Sequence, residues 1–549
     1  MDYKIMLPHQ VWEGYNVTDS ELSFHEGDTT FDGAITTKNC YFTALGDGLD
    51  AVTVALKLFI PQEANGSTIV VVPEYSKPAD ANFVKKIAEL GFVVIVPDIS
   101  GVAMPATMFG ESYSYGCYHE AGEHLTKVCP TAKDTCQYLY SVIVKRTIYV
   151  ADCIFGYKKP ILLGLGSGVE VAMQVAGSTE NTISAIAAIN GSGYGEYIKH
   201  HKYGGGQELV MDSERMSWLA GVASVAYAKY IEVPMLISIG SNSTKADIDR
   251  LSNLIALLPH NNVVLTTSAG TDDYILKPAA DSVKAWLNMI AKGESMPTMP
   301  ETNISVSKDG KTYAYVKFDN GYNIDNTTIY YSSGEYNHAV RDWFHTKVVT
   351  VSQNEVLGQV TITDEEAPLF VYADVCYSNG LICSTVVDFL DLSGQEVIQE
   401  NRIITNIVFE PSFGVQCFVS ECSGVARLEN SLGLVELESG VTGITAGEWG
   451  IKTYNIGTHS AQFADNILRI DFATDVETDV ILTVQRVVKG DIVSFSYTVN
   501  IPETNGYFKS VMLTASSFKD ERYMSLEDWR DVKSLAISGG VIVGSIIFI

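Results

Sequence analysis

Short apolar runs alternate with amphipathic stretches from about residue 40 to residue 292 of this chain. Three of the apolar runs are almost continuously hydrophobic, which is typical of central parallel strands that are buried on both faces. The amphipathic stretches between them predict helices that cover such a sheet. The pattern predicts strands at 52–59, 67–72, 92–97, 160–165, 183–189, 235–239 and 262–267, and helices at 81–90, 147–155, 169–176, 246–258 and 279–291.

The pattern changes after Lys292, where two prolines in the segment 293–301 predict a linker. Beyond it, short alternating runs are separated by turns such as 319–321 and 378–380, which indicates antiparallel strands. We therefore predict an α/β domain at residues 1–295, a β-sandwich at 300–392 and a second β-sandwich of jelly-roll size at 393–549.

The charge balance narrows the choice of partners. The chain has 549 residues, of which 46% are hydrophobic, and its 37 basic and 65 acidic side chains give a formal net charge of -28. Such a surface repels phosphate backbones and anionic lipids alike. We therefore expect neither nucleic acid nor a membrane as a partner, while the oligomeric state stays open.

The N-terminus and the cysteines bear on location. The first residues lack the basic start and apolar run of a signal peptide, and no apolar stretch reaches the length of a membrane span. The nine scattered cysteines suit reduced thiols better than a disulfide framework. We expect a cytoplasmic location by default, and a virion protein released by lysis has the same features.

The segment 160–177 predicts a buried strand, a tight glycine turn and a helix, which is the context of a nucleophile elbow. In the elbow formula Gly-x-Ser-x-Gly, the outer glycines are Gly164 and Gly168. The nucleophile position then falls on Gly166, which has no side chain to attack a carbonyl.

Together with the segments 71–75, 93–98 and 233–240, this elbow resembles the α/β-hydrolase superfamily. The layout is nearest to the group of acetyl xylan esterases and dienelactone hydrolases. The resemblance implies a triad in the chain order serine, acid, histidine. It also implies an oxyanion hole near the backbone N–H groups of Tyr75 and Ser167.

All three triad positions carry other residues in this chain. Gly166 replaces the serine, and Ser243 stands where the resemblance places the acid. The loop after the last strand of the domain, 268–274, contains no histidine, and Asp272 lies in it. Without an imidazole near the elbow, a serine lacks a general base of suitable pKa. We therefore predict a pseudo-esterase with no catalytic residues at these positions.

An active carbohydrate acetyl esterase with a non-standard site is the alternative. It requires Ser167 as nucleophile and Asp247 or Asp272 as acid or base. The positions two residues from Ser167 would then be Leu165 and Val169, where the strained turn needs small residues.

We expect no cofactor and no metal. The densest group of metal-capable side chains is Cys117, His119, His124 and Cys129, and its spacing matches no common zinc pattern. These residues are interpreted as polar surface residues.

The C-terminal segments 506–519, 526–535 and 543–548 resemble the closing strands of carbohydrate-binding jelly rolls. Within them, Phe518, Leu526, Trp529 and Leu535 are predicted to fill the edge of the sandwich, while the segment 303–392 resembles an immunoglobulin-like spacer. These resemblances imply a binding or structural protein whose partner is a carbohydrate or the proteins of an assembly.

Overall fold

The computed structural model describes residues 3–116, 131–179, 181–197, 199–273, 277–399, 404–420, 432–447 and 449–549. Its largest element is a nine-stranded sheet in the order β1-β2-β3-β5-β4-β6-β7-β8-β9. The strands are β1 (His25–Asp32), β2 (Ile35–Leu45), β3 (Val52–Pro61), β4 (Thr68–Val72), β5 (Val93–Pro97), β6 (Ile161–Leu165), β7 (Ala185–Ile189), β8 (Met235–Gly240) and β9 (Val263–Ser268).

This sheet is mostly parallel and covered on both faces. Strands β4 to β9 run parallel to one another, whereas the pairs β1–β2, β2–β3 and β3–β5 are antiparallel. The helices of this α/β part are α1 (Pro8–Val11), α2 (Ala81–Ala88), α3 (Cys136–Cys153), α4 (Gly168–Ala176), α5 (Ser213–Gly221), α6 (Leu251–Leu257) and α7 (Lys277–Lys292).

The two faces of β4 explain why the central strands are apolar throughout. Val70 and Val72 belong to one core cluster, which includes residues of α3 and α4. Ile69 and Val71 belong to a second cluster, which includes residues of α2 and α7. Because successive side chains of a strand point to opposite faces, both sets must be hydrophobic. The predicted mostly parallel sheet with helices on both faces is confirmed, and no helix in the described ranges is long and apolar enough to cross a membrane.

Several elements differ from the prediction. Strand β1 was not predicted, because all eight of its residues are exposed and it has no alternation of apolar and polar positions. Helix α3 begins at Cys136 instead of residue 147, and it is buried on nearly all sides, so its first half has no polar stripe to reveal a helical period. The stretch 246–258 forms a short 3₁₀ turn and then α6, instead of one long helix.

Two antiparallel sheets form the middle β part, residues 301–391. One has the order β10-β11-β15-β14, and the other has the order β13-β12-β16-β17 with β18 also paired to β16. The strands are β10 (Glu301–Val306), β11 (Thr312–Lys317), β12 (Ile324–Ser333), β13 (Phe344–Thr346), β14 (Val348–Ser352), β15 (Glu355–Val360), β16 (Pro368–Tyr377), β17 (Ile382–Ser384) and β18 (Asp388–Asp391).

Two further antiparallel sheets form the C-terminal β part, residues 407–548. Their orders are β21-β22-β29-β24-β27, with β19 paired to β29, and β20-β23-β28-β25-β26. The elements are β19 (Ile407–Phe409), β20 (Val419–Ser420), β21 (Leu434–Glu436), β22 (Thr442–Thr445), β23 (Ile451–Thr453), α8 (Asn455–Ser460), β24 (Leu468–Ala473), β25 (Thr478–Val488), β26 (Asp491–Ile501), β27 (Lys509–Leu513), β28 (Val532–Ser538) and β29 (Ile542–Phe548).

The core of this C-terminal part contains the four residues predicted to fill the sandwich edge. Phe518, Leu526, Trp529 and Leu535 are all buried. The Trp529 indole N–H donates to the carbonyl of Asn466 at 2.8 Å, which satisfies its one polar group. The antiparallel β sheets that the sequence predicts after the α/β part are therefore confirmed.

The middle β part covers the open edge of the nine-stranded sheet. The Thr267 N–H in β9 donates to the Ser384 hydroxyl at 2.8 Å, and that hydroxyl donates to an Asp374 carboxylate oxygen at 2.5 Å. The Thr266 hydroxyl donates to the carbonyl of Ile382 at 2.9 Å. A single serine thus links the sheet edge to a buried carboxylate.

Asp374→Asn is expected to stabilise the protein above neutral pH. Burial raises the pKa of Asp374 to about 7, from an ordinary value of 3.8. The folded state therefore binds this proton more tightly than the unfolded state does. The protonated Asp374 therefore contributes most to the free energy of unfolding below pH 4. This contribution, up to about 4 kcal/mol, is lost as the pH rises to about 7.

The measurement is the free energy of unfolding of both variants by urea titration between pH 5 and pH 8. Asn removes the ionisation and keeps an acceptor for Ser384, so the advantage of Asp374→Asn should grow with pH. Asp325→Asn changes an exposed aspartate of the same β part and serves as the control. A stability difference that does not change with pH contradicts the prediction.

Candidate functional site

The elbow is a tight turn between β6 and α4. Gly166 has a φ of +51°, in the left-handed region, and its N–H donates to the carbonyl of Ile189 at 2.8 Å. A Cβ at Gly164 would lie 2.7 Å from the Val169 Cα, and one at Gly168 would lie 2.2 Å from the Val72 carbonyl oxygen. Both outer glycines are therefore required by close backbone approach, as in the elbow formula.

A glutamate from the neighbouring strand occupies the space next to the elbow. A Cβ built on Gly166 would lie 2.7 Å from the Cδ and Cγ atoms of Glu74 and 2.8 Å from its Oε1. Glu74 follows the end of β4 and is 6% exposed. Any side chain at position 166 must therefore displace this carboxylate.

Two lysines from different loops hold the Glu74 carboxylate. Its Oε2 lies 3.1 Å from the Lys245 Nζ and 3.4 Å from the Lys77 Nζ. Lys245 follows β8, so the contact joins the carboxyl ends of two parallel strands. The side chains of both lysines are more than a third exposed, so their charges remain partly hydrated.

The two residues proposed for an oxyanion hole contact each other. The Tyr75 N–H donates to the Ser167 hydroxyl oxygen at 3.0 Å. In a hydrolase such an N–H group points at the substrate oxyanion. Here the Ser167 side chain, which belongs to the elbow, already accepts the Tyr75 N–H. In the described ranges, no hydrogen bond joins the Ser167 hydroxyl to a histidine or to a carboxylate.

Ser243 lies in the loop after β8, where the resemblance places the acid. Its hydroxyl donates to an Asp273 carboxylate oxygen at 2.8 Å and accepts from the N–H groups of Lys245 and Ala246. The same Asp273 accepts from the Thr244 hydroxyl at 2.6 Å. The loop after β9 thus reaches the loop after β8, but it does so with a carboxylate and no imidazole.

Asp272, the neighbour of Asp273, turns toward the C-terminal β part. One of its oxygens lies 2.7 Å from the Lys452 Nζ, and the other accepts a hydrogen bond from the Tyr454 hydroxyl. The Lys452 side chain is only 4% exposed, so this ion pair is largely removed from water. The position that should carry the base therefore forms a contact between two parts of the chain.

A histidine from the middle β part reaches the same region. The His338 Nε2 lies 2.9 Å from the carbonyl oxygen of Ser243, and its Nδ1 lies 3.5 Å from an Asp247 carboxylate oxygen. Because a carbonyl only accepts, Nε2 must carry a proton. The His338 Nε2–H therefore donates to the Ser243 carbonyl. The ring of His201 packs edge-on against His338 at 5.8 Å, and burial lowers the pKa of His201.

An adjacent ion pair fixes the middle β part against the α/β part. The Arg341 guanidinium donates to both carboxylate oxygens of Asp249, each at 2.7 Å. The two side chains are 0% and 1% exposed. Arg341 also donates to the carbonyls of Glu335 and Tyr336, and its guanidinium lies 3.5 Å from the centre of the Phe370 ring. This bidentate geometry is the strong form of the arginine–carboxylate contact.

Several contacts of the candidate site could not be predicted from the sequence. Glu74, Asp273 and His338 are each unremarkable in their local context. The one available signal was the position of Glu74, a charged residue directly after a buried strand, at the sheet edge where parallel strands place functional groups. The predicted residues Cys117, His119, His124 and Cys129 lie outside the described residues.

The topology and the elbow together define the α/β-hydrolase fold in the first part of the chain. No family model matches the chain, and no curated protein matches it in sequence.

Among solved structures, acetyl xylan esterase 1 from Thermoanaerobacterium sp. is similar over 53% of this chain and 95% of its own, at 11% identity and a TM-score of 0.39. A cold-adapted esterase from an Arctic intertidal metagenomic library is similar over 46% of this chain and 90% of its own, at 13% identity and a TM-score of 0.30. Est1E from Butyrivibrio proteoclasticus, with ferulic acid bound, is similar over 41% and 89%, at 11% identity and a TM-score of 0.30. At these sequence identities and TM-scores, the activities of the three esterases are not assigned to this chain.

Proposed function

We propose that this chain is a non-catalytic pseudo-esterase, a multi-domain binding or structural protein that contacts carbohydrate or the proteins of an assembly. The observation that carries the proposal is the Glu74 carboxylate, which fills the place of a nucleophile side chain at Gly166. A substrate carbonyl that approached the elbow would meet a carboxylate held by Lys77 and Lys245 instead of an activated hydroxyl.

The loops that hold a proton relay in a hydrolase hold the parts of this chain together. Asp272 contacts Lys452 of the C-terminal β part, and Asp249 contacts Arg341 of the middle β part. Both contacts are largely buried, and a buried pair is costly to break from one side. This supports a role in which a fixed arrangement of the three parts matters more than chemistry in the old cleft.

A carbohydrate partner is supported by two features of the C-terminal β part. Its closing segments, 506–519, 526–535 and 543–548, resemble those of carbohydrate-binding jelly rolls. It also exposes large aromatic side chains, with Tyr507 at 66% and Tyr523 at 82%. Exposed aromatic rings of this kind offer flat apolar faces to sugar rings.

The proposal predicts that the full chain hydrolyses 4-nitrophenyl acetate no faster than its Ser167→Ala variant. The physical reason is that the Ser167 hydroxyl accepts from the Tyr75 N–H and has no base partner among the described residues. Labelling by a serine-directed phosphonate, read by mass spectrometry of the intact protein, should also be absent from both variants.

The alternative is a carbohydrate acetyl esterase that uses Ser167 with Asp247 or Asp272. It requires these carboxylates to leave their contacts with His338 and Lys452. Turnover and phosphonate labelling that both vanish in Ser167→Ala, with the circular dichroism spectrum unchanged, would establish this alternative and overturn the proposal.

A further inference from the structure

A loop of the α/β part lies where the three parts of the chain meet. Residues 199–207, here called the junction loop, contact the middle β part through Tyr203, whose ring stacks on Phe389 with the ring centres 4.2 Å apart. The loop contacts the C-terminal β part through Gln207, whose side-chain nitrogen lies 2.9 Å from both carboxylate oxygens of Asp491. The junction loop therefore connects all three parts at one place.

His201 lies at the centre of this contact. Its ring packs edge-on against His338 of the middle β part, and its Nε2 lies 3.5 Å from the Gly490 carbonyl oxygen of the C-terminal β part. Its Nδ1 is shut off from solvent and has no hydrogen-bond partner in the described ranges. The carbonyl can only accept, so the proton of the neutral ring belongs on Nε2. A second proton, on Nδ1, would have no acceptor.

The nearest charged groups disfavour that second proton as a whole. Arg341 and His338 of the middle β part oppose a positive charge on His201, whereas Asp247 of the α/β part favours one. The Asp247 carboxylate is shared with other groups, because its oxygens lie 3.5 Å from the His338 Nδ1 and 3.4 Å from the Arg250 Nε. Burial, followed by His338 and Arg341, thus holds the pKa of His201 below its ordinary value of 6.5.

The other charged side chains at the junction have partners of their own. The Lys202 Nζ donates to the Asp249 carbonyl at 3.0 Å, and the Asp249 carboxylate pairs with Arg341. The Asp491 carboxylate accepts from Gln207. In the described ranges, none of these groups forms a hydrogen bond with the His201 ring. An imidazolium at this position would therefore be buried without a counter-charge of its own, which is costly.

We infer that the junction loop is released by acid: below about pH 6.5, a proton on His201 favours a conformation in which the loop has left the junction and the imidazolium is hydrated. Above this pH, His201 is neutral in both conformations. As the pH falls, the released conformation binds the proton more tightly than the closed one does, so the closed conformation loses stability. The junction loop does not include the elbow, so its release does not depend on the proposed loss of esterase activity.

The test is hydroxyl-radical labelling of the full chain at about pH 7.5 and about pH 5.5, with the oxidation of each tyrosine read by mass spectrometry. Labelling of Tyr203 should rise about two- to fivefold at the lower pH, because its partly buried ring loses the cover of Phe389 when the loop leaves. Tyr523 is 82% exposed and serves as the internal reference, which should be labelled equally at both pH values.

His201→Phe keeps an aromatic ring against His338 and cannot take up a proton, so labelling of Tyr203 in this variant should not depend on pH. His345→Phe changes an exposed histidine of the middle β part and is the matched control, which should keep the dependence. If His201→Phe does not fold, His201→Gln decides in its place. Equal labelling of Tyr203 at both pH values in the unaltered chain overturns the inference. A rise that persists without the His201 imidazole overturns it also.

Discussion

Arg341→Met is expected to lower the free energy of unfolding by about 3–5 kcal/mol. The guanidinium is fully buried and forms a bidentate pair with Asp249. Methionine fills similar space but leaves the Asp249 carboxylate buried without its counter-charge. Urea denaturation followed by circular dichroism measures the loss.

Two comparisons isolate the ion pair. Arg530→Met removes an arginine whose side chain is 65% exposed and which also pairs with an aspartate, Asp528, so it should cost less than about 1 kcal/mol. The double variant Arg341→Met with Asp249→Asn should lose less than the sum of the single variants, since the stranded charge is gone. An Arg341→Met protein within 1 kcal/mol of the unaltered chain contradicts the assignment.

Gly166→Ser is expected to restore no esterase activity and to lower the free energy of unfolding by about 2–4 kcal/mol. Serine completes the elbow formula, but the loop after β9 has Asp272 and Asp273 where a triad has its histidine, and these carboxylates already contact Lys452 and Ser243. The new Cβ also meets the Glu74 side chain at 2.7 Å. The assay is 4-nitrophenyl acetate hydrolysis beside thermal and urea unfolding.

Gly48→Ser separates backbone strain from the clash with Glu74. Gly48 has a φ of +54°, close to that of Gly166, and a Cβ there meets nothing within 4 Å. It should therefore cost only about 1 kcal/mol, the penalty of a left-handed serine. Adding Glu74→Ala to Gly166→Ser should recover part of the loss, because the obstruction is removed and the two lysines remain hydrated. Hydrolysis by Gly166→Ser above the rate of the unaltered chain would contradict the absence of a general base near the elbow.

The fold was accessible to sequence reasoning because its signal is local. A parallel strand buried on both faces needs an apolar run, and β6 and β7 consist of apolar residues and glycine throughout. The same reasoning missed β1, whose residues all face solvent, and the first half of α3, which is buried on nearly every side. Neither element has the contrast between a buried and an exposed face that periodicity detects.

Only part of the candidate site could be predicted from the sequence, because only part of it leaves a local pattern. The absence of a nucleophile can be predicted from the sequence because Gly164, Gly166 and Gly168 lie within five residues. The contacts that replace the chemistry join distant positions: Lys245 lies 171 residues from Glu74, and Lys452 lies 180 residues from Asp272. No local pattern records such a pair.

The sequence by itself determined a parallel sheet, an elbow and the absence of a serine, an acid and a histidine from the expected positions. Only the tertiary structure decided what stands there instead. The order of strands brings the ends of β4, β6, β8 and β9 to one edge, and this places Glu74 over Gly166 and Asp273 against Ser243. Packing of the two β parts then places Arg341 beside Asp249 and Lys452 beside Asp272. These cations neutralise the two carboxylates, because a buried charge requires a partner from a neighbouring segment.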